Sequence, residues 1–286
     1  MDADLMDSST LLGLTTLAYL FSAAFYIATL VFKNKAMGIA ALVVTVAGIL
    51  AHTGGIGMRW YESYEMNHGH APLTNMYESL VFFSWCVMVI YVFMELKYKN
   101  NLLGAFVTPF GMVSMAWATF QLDASMRPLM PALQSNWLIA HVVTCFIGYA
   151  AFAAAGGFGV MYLLKKNFGG DNDSSGGIIG SLPKLALIDD LNHKTLLFGF
   201  LWLSGGIITG AIWANEAWGT YWQWDSKETW SLITWFFYAI TLHARFTRGW
   251  GGNRIAWLAI FGIFVVFFTY FGVNLWLSGL HSYGSN

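Results

Sequence analysis

Long apolar runs separated by short polar stretches occupy almost the whole of this 286-residue chain. Read in a window of about 19 residues, the pattern predicts eight helices, near 10–32, 36–53, 74–95, 101–120, 136–164, 191–214, 229–247 and 254–280. Several reach the ~20 apolar residues needed to cross a ~30 Å hydrocarbon core. Connections are short, and no repeat of roughly 20–50 residues is visible. The expected fold is therefore an all-α polytopic membrane protein, with one transmembrane helical bundle over 1–286. The polar stretch FGGDNDSSGGIIGS, at about 168–181, is expected to be the least structured part.

Composition agrees with that class. Hydrophobic residues make up 57% and charged residues 10%, against roughly 45–50% and 25% in soluble domains. A net charge of −1 leaves no basic footprint for nucleic acid. Acidic MDADLMDSS precedes the first run, unlike the positive start of a signal peptide, so that run reads as a retained span. Cys86 and Cys145 lie inside apolar runs without CxxC spacing, which suits small packing residues better than a disulfide, zinc site or redox relay.

Charge also orients the bundle. With the N-terminus outside, the inner side receives Lys33, Lys35, Lys97, Lys99, Lys165, Lys166, Lys184, Lys194, Arg245, Arg248 and Arg254, eleven of the 14 Lys and Arg residues. Only Arg59, Arg127 and Lys227 fall outside. Both termini are expected on the exterior or periplasmic side, with outer loops at about 54–73, 121–135 and 215–228.

The last of these loops carries the densest chemistry. WGTYWQWDSKETW, from Trp218 to Trp230, holds four tryptophans: Trp218, Trp222, Trp224 and Trp230. Tryptophan belongs at the water boundary of a span, but a belt needs only one or two per helix end. A flat aromatic shelf there suits a large planar ligand with an apolar face and polar edges, with haem as the leading candidate. Asp225 and Glu228 are spaced as an N-cap and its N3 partner, which explains them without a ligand and leaves the tryptophans unexplained.

Seven histidines are sorted by this topology. His141 lies five residues past Asn136, ~7 Å into the fifth span, and His281 follows the last span. Both are level with the tryptophan segment, where two imidazoles could ligate one haem iron. His243, fourteen residues beyond Thr229, is ~21 Å down its helix in the inner half of the bilayer. It is either a functional group at that depth or a histidine hydrogen-bonded to a neighbouring helix. Arg245 and Arg248 after it suit haem propionates or anionic lipid. His52 is expected at the outer end of the second span, and His68 and His70 in a solvated loop. Glu78, at an outer helix start, is a dipole partner or lines the site.

The WGxxWxWD segment, matched at Trp218, Gly219, Trp222, Trp224 and Asp225, resembles the haem-handling family marked by this tryptophan motif. The continuation KETWSL and a span ending LHAR resemble its CcsA (ResC) branch, a subunit of the System II cytochrome c synthase. The CcmC and CcmF branches share the tryptophans but not KETW. The likeness runs from PLTNMYES through QSNWLIAH to NLWLSGLHSYG, most of the chain. Ser226 stands where the branch usually has proline, a change in backbone preset only.

This resemblance implies a cytochrome c haem-lyase acting on haem b. It implies axial ligation of the iron by His141 and His281 and an inner haem site at His243 shared with a CcsB-type partner. It further implies that Trp218, Trp222, Trp224 and Trp230 pack at the macrocycle while Asp225 orders the loop. The substrate would be an apocytochrome c with CxxCH, kept reduced by thiol-reducing pathway proteins. The site would lie on the periplasmic face of a bacterial cytoplasmic (inner) membrane or an equivalent energy-transducing membrane. A haem exporter without ligase activity, as in CcmC, and a membrane b-type cytochrome are the alternative readings.

Overall fold

The computed structural model describes residues 7–169 and 177–277, and among them the chain is helical without a strand. Eight long helices follow one another: α1 (Ser8–Phe32), α2 (Lys35–Glu65), α3 (Met76–Tyr98), α4 (Gly104–Gln121), α5 (Asn136–Leu164), α6 (Leu185–Trp218), α7 (Ser226–Arg248) and α8 (Asn253–Phe267). A π-helical turn at Phe268–Gly272 carries α8 into a short α9 (Val273–Trp276). Seven of these stretches are long and apolar enough to cross a membrane, so the chain is a multi-pass membrane protein. The exception, α7, has tryptophans, threonines, His243 and Arg245 interrupting its apolar residues.

The chain forms two compact units, Met1–Gln134 and Ser135–Asn286. In the first, α1 packs along α2 and α4, and α3 along α4; in the second, α5 packs against α6 and α8. Caps start the helices as local sequence dictates. Asp7 accepts from Thr10 N–H at 2.7 Å to begin α1. Hydrogen bonds from the Thr10 side chain and backbone hold the Asp7 carboxyl below its ordinary pKa. Asn75 and Asp225 do the same work for α3 and α7.

Two helices exceed their hydropathy limits. α2 continues past residue 53 to Glu65, through Gly54, Gly55 and Gly57, so much of the expected outer loop is helix. Gly55 is needed there for close packing, since a Cβ would lie 2.8 Å from Leu12 Cδ2. α6 starts at Leu185 and runs to Trp218, leaving only 219–225 as the loop before α7. A hydropathy window reads the thickness of the bilayer, whereas helices project beyond it.

The α2 extension moves His52 from an expected outer end to a point ~26 Å along its helix. It is fully buried there, with Nδ1 3.0 Å from the Tyr19 hydroxyl. Other buried polar pairs line the first unit: Ser22 with Thr45 at 2.5 Å, and Glu95 accepting from Tyr26 and Tyr91 at 2.5 and 2.6 Å. Arg59 and Glu78, 2% and 1% exposed, form an ion pair at 2.9 Å, with Arg59 also donating to the Ala124 carbonyl. Glu78 additionally accepts from the backbone and hydroxyl of Thr74. Glu78 thus ties α2 to α3, a role beyond that of a helix-dipole partner. His70 is buried rather than solvated, its ring set between the Ala71 and Arg127 carbonyls.

In the second unit, small residues let helices approach closely, as membrane interfaces require. A Cβ on Gly159 would meet the Ala256 carbonyl at 2.6 Å, and one on Gly148 the Gly199 carbonyl at 3.0 Å. Phe152 and Tyr238 stack face to face with centroids 3.5 Å apart, fastening α5 to α7.

Candidate functional site: a histidine and tryptophan cluster in the second unit

The first turns of α5 and the last turns of α6 meet at this end of the unit. Ser135, the cap of α5, donates to Glu216 near the end of α6 at 2.6 Å. Nearly two turns further along α5, the His141 Nδ1 lies 2.7 Å from the Gly206 carbonyl oxygen. A carbonyl only accepts, so Nδ1 carries the proton and the lone pair of the neutral ring is on Nε2, the atom through which such an imidazole binds metal. Gly210 provides the room: a Cβ there would lie 2.6 Å from His141 Nδ1. The ring stacks on Trp213, with centroids 6.0 Å apart and an angle of 21°. Trp213 in turn meets Trp218 edge-on at 4.9 Å.

The motif continues from that point. Trp218 ends α6, and Gly219 closes the helix in the left-handed region at φ 78°. Trp222 and Trp224 pack edge to face at 5.6 Å. Trp224 is 69% exposed and adopts φ 59°, a conformation disfavoured for a bulky side chain. Such a backbone persists only where its surroundings enforce it. Here the enforcing group is Glu228, whose carboxylate accepts from Gln223 N–H at 2.7 Å and from Asp225 N–H at 3.3 Å. Asp225 accepts from Glu228 N–H at 2.7 Å, completing the expected capping box. Trp230, on α7, packs on Phe268 at 4.3 Å.

Of the predicted site residues, the structure brings His141 and Trp218 together through Trp213, and joins Trp222, Trp224 and Asp225 in one capped loop. His281 lies outside the described residues. His243 is exposed on α7 and its ring has no hydrogen bond among the described residues. Arg245 beside it is committed to Asp189 through two bonds of 3.0 and 2.7 Å. Cys145 and Cys86 are both buried thiols. Among the described residues no three His, Cys, Asp or Glu side chains cluster as a metal site.

Several residues of the cluster were not singled out from sequence: Trp213, Gly206, Gly210, Lys227 and Asn274. Gly206 and Gly210 carry a legible signal, small residues four apart in an apolar helix, which mark a face for close helix approach. Lys227 donates to Asn274 Oδ1 at 3.0 Å, joining the start of α7 to α9.

An all-α, multi-pass fold in which a capped tryptophan loop follows a helix packed on a histidine-bearing one defines the class. A model of the family "Cytochrome C assembly protein" matches residues 73–281. A cytochrome c biogenesis protein CcsA of Mesostigma viride is 41% identical over 251 residues, covering 80% of this chain and 81% of the relative. One from Parasynechococcus marenigrum is 39% identical, covering 86% and 87%, and one from Guillardia theta is 38% identical, covering 95% of each. The chain therefore belongs to the cytochrome c assembly family, among its CcsA members, and serves cytochrome c maturation. Among solved structures, the cytochrome c haem lyase CcmF has the same fold, with a TM-score of 0.69 at 16% identity over 94% of this chain and 48% of that one.

Proposed function

We propose that this chain presents haem b at the outer face of an energy-transducing membrane and, with a CcsB-type partner, attaches it to CxxCH apocytochrome c. The observation that carries the reading is His141: its Nδ1–H is held by the Gly206 carbonyl, so Nε2 is the basic nitrogen, and its ring stands against Trp213, which in turn meets Trp218 of the motif. His281 supplies the second imidazole, and Trp222, Trp224 and Trp230 the remaining aromatic contacts, on a loop ordered by Asp225.

The chemistry asks little of the protein beyond placement. Each thioether forms by addition of a peptide S–H across a vinyl C=C: sulfur bonds to one carbon and hydrogen goes to the other. No oxidant or leaving group is involved, and the nucleophile comes from the substrate. The buried thiols of Cys86 and Cys145 accordingly take no part. Holding both reactants in register is the contribution that accelerates such a step. His243 serves an inner haem site shared with the partner, and thiol-reducing proteins keep the CxxCH cysteines reduced.

The test is ligand rescue. His141→Gly and His281→Gly should each abolish cytochrome c maturation, scored by covalent haem staining, and added imidazole should restore part of it. Full activity of either variant without imidazole removes that residue from the axial pair.

A further inference from the structure

The loop between α2 and α3 is built around one imidazole. His70 is 8% exposed. Its Nδ1 lies 3.1 Å from the Ala71 carbonyl oxygen, and its Nε2 3.1 Å from the Arg127 carbonyl oxygen. Its backbone N–H donates to Ser63 Oγ at 3.1 Å, while the Ser63 carbonyl accepts from the N–H groups of His68 and Gly69. The ring is thus anchored at the end of α2 and reaches across to the α4–α5 loop at 122–135. That loop leads into the helix that carries His141.

A carbonyl only accepts, and a neutral imidazole has one N–H and one lone pair. With a single proton, one of the two contacts sets a nitrogen lone pair against an oxygen lone pair. With a proton on each nitrogen, both become charge-assisted hydrogen bonds. The geometry is complete only for the doubly protonated ring. Histidine is the side chain that makes this change between about pH 5 and 8.

The charged groups nearby have other partners. No carboxylate lies within 4.0 Å of the ring among the described residues. On α2, Glu62 accepts from Ser8 and Glu65 lies beside Tyr61; Glu78 of α3 pairs with Arg59. Arg127 offers His70 its carbonyl, while its exposed guanidinium is bonded to Asp123 at 3.2 Å. Hydrogen bonds from the Ser125 side chain and backbone hold the Asp123 carboxyl below its usual range, so its charge is constant across that window. The His68 ring is parallel to that of His70, with centroids 6.4 Å apart. Charge on both rings is repulsive, and it is His70 whose two nitrogens both face acceptors.

We infer that His70 is a proton-dependent clasp between two loops of the first unit. Protonated on both nitrogens, it ties the α2–α3 loop to the α4–α5 loop; as pH rises and one proton leaves, one carbonyl is released. The sign follows from the geometry: the tie is present at low pH and lost at high pH. It requires neither the haem reading nor a particular orientation in the membrane.

The experiment is hydrogen exchange read by mass spectrometry on the full-length chain in detergent, at about pH 5.5 and about pH 8. Each rate is divided by the intrinsic rate at that pH. Amides of residues 123–130 are expected to be at least about tenfold better protected at the lower pH, the scale of one charge-assisted hydrogen bond. His70→Gln keeps an amide N–H for one carbonyl but gains no second charge, and should be protected alike at both pH values. His68→Gln and Asp123→Asn should keep the native ratio. A native ratio near one overturns the inference whatever the variants do. So does a native ratio in His70→Gln, or a response lost in His68→Gln or Asp123→Asn instead.

Discussion

Around His141 the decisive residue is one without a side chain. A Cβ on Gly210 would fall 2.6 Å from Nδ1, whereas one on Gly205 would meet nothing within 4 Å. Gly210→Ala is therefore expected to push the ring off the Gly206 carbonyl and to remove most cytochrome c maturation at normal protein level. Gly205→Ala, one helix position before Gly206, should leave it intact. Haem staining of mature cytochrome c beside an immunoblot of the chain distinguishes the two. The second residue-scale case is Arg59 and Glu78, both almost fully buried and 2.9 Å apart. Glu78→Ala leaves Arg59 uncompensated, at a cost of roughly 3–5 kcal/mol. The melting temperature in detergent should fall sharply, and replacing both residues by apolar ones should recover part of the loss. Neither effect could be read from sequence. In sequence Arg59 is one of three outer cations, and Glu78 reads as a helix-dipole partner or as a carboxylate lining the site, with nothing to pair the two.

Among the elements, α7 joins most of the chemistry. Its start is legible in DSKE, because a capping box is a contact between residues three apart. Asp225→Ala should cost about 1 kcal/mol of cap and loosen the first turn of α7, from which Glu228 holds the backbone on either side of Trp224, while Asp225→Asn keeps the cap. Tryptophan fluorescence of the two variants should differ accordingly, with Asp225→Asn like the native chain. Further along, Ile233, Phe236, Ile240, His243 and Phe246 form one exposed stripe at helical spacing. An imidazole in an apolar stripe suits a partner helix that brings a second ligand. His243→Ala should lower the haem delivered to cytochrome c, with the outer site still able to attach what arrives. Normal haem content and normal maturation in this variant would leave His243 as an ordinary surface residue. Arg245, beside it, looked able to meet a propionate from its place in sequence, but Asp189 holds it. That partner lies 56 residues away, beyond the reach of any local pattern.

For the whole molecule, the arrangement of eleven cations on one side against three on the other sets the expected orientation, and it has a direct test. In a chain whose own two cysteines are buried, Thr220→Cys should react with an impermeant thiol reagent in intact cells or spheroplasts. Lys99→Cys should react only after permeabilisation. The opposite pattern would reverse the bundle and place the tryptophan loop on the inner side. By itself the sequence determined the eight long helices, their caps and the place of the tryptophan segment between two of them. Hydropathy, helical period and capping act within a few residues and write themselves into a local window. Tertiary structure alone decided that α2 and α6 outrun the bilayer-length windows and that His52 is buried beside Tyr19. It alone set Arg59 on Glu78, the Gly206 carbonyl at Nδ1 of His141 with Trp213 stacked on the same ring, and Lys227 on Asn274. Each of these pairings depends on the rotation and depth of one helix against another. A slip of one residue turns a helical side chain by about 100°, so such contacts exist only once the packed interface has settled both.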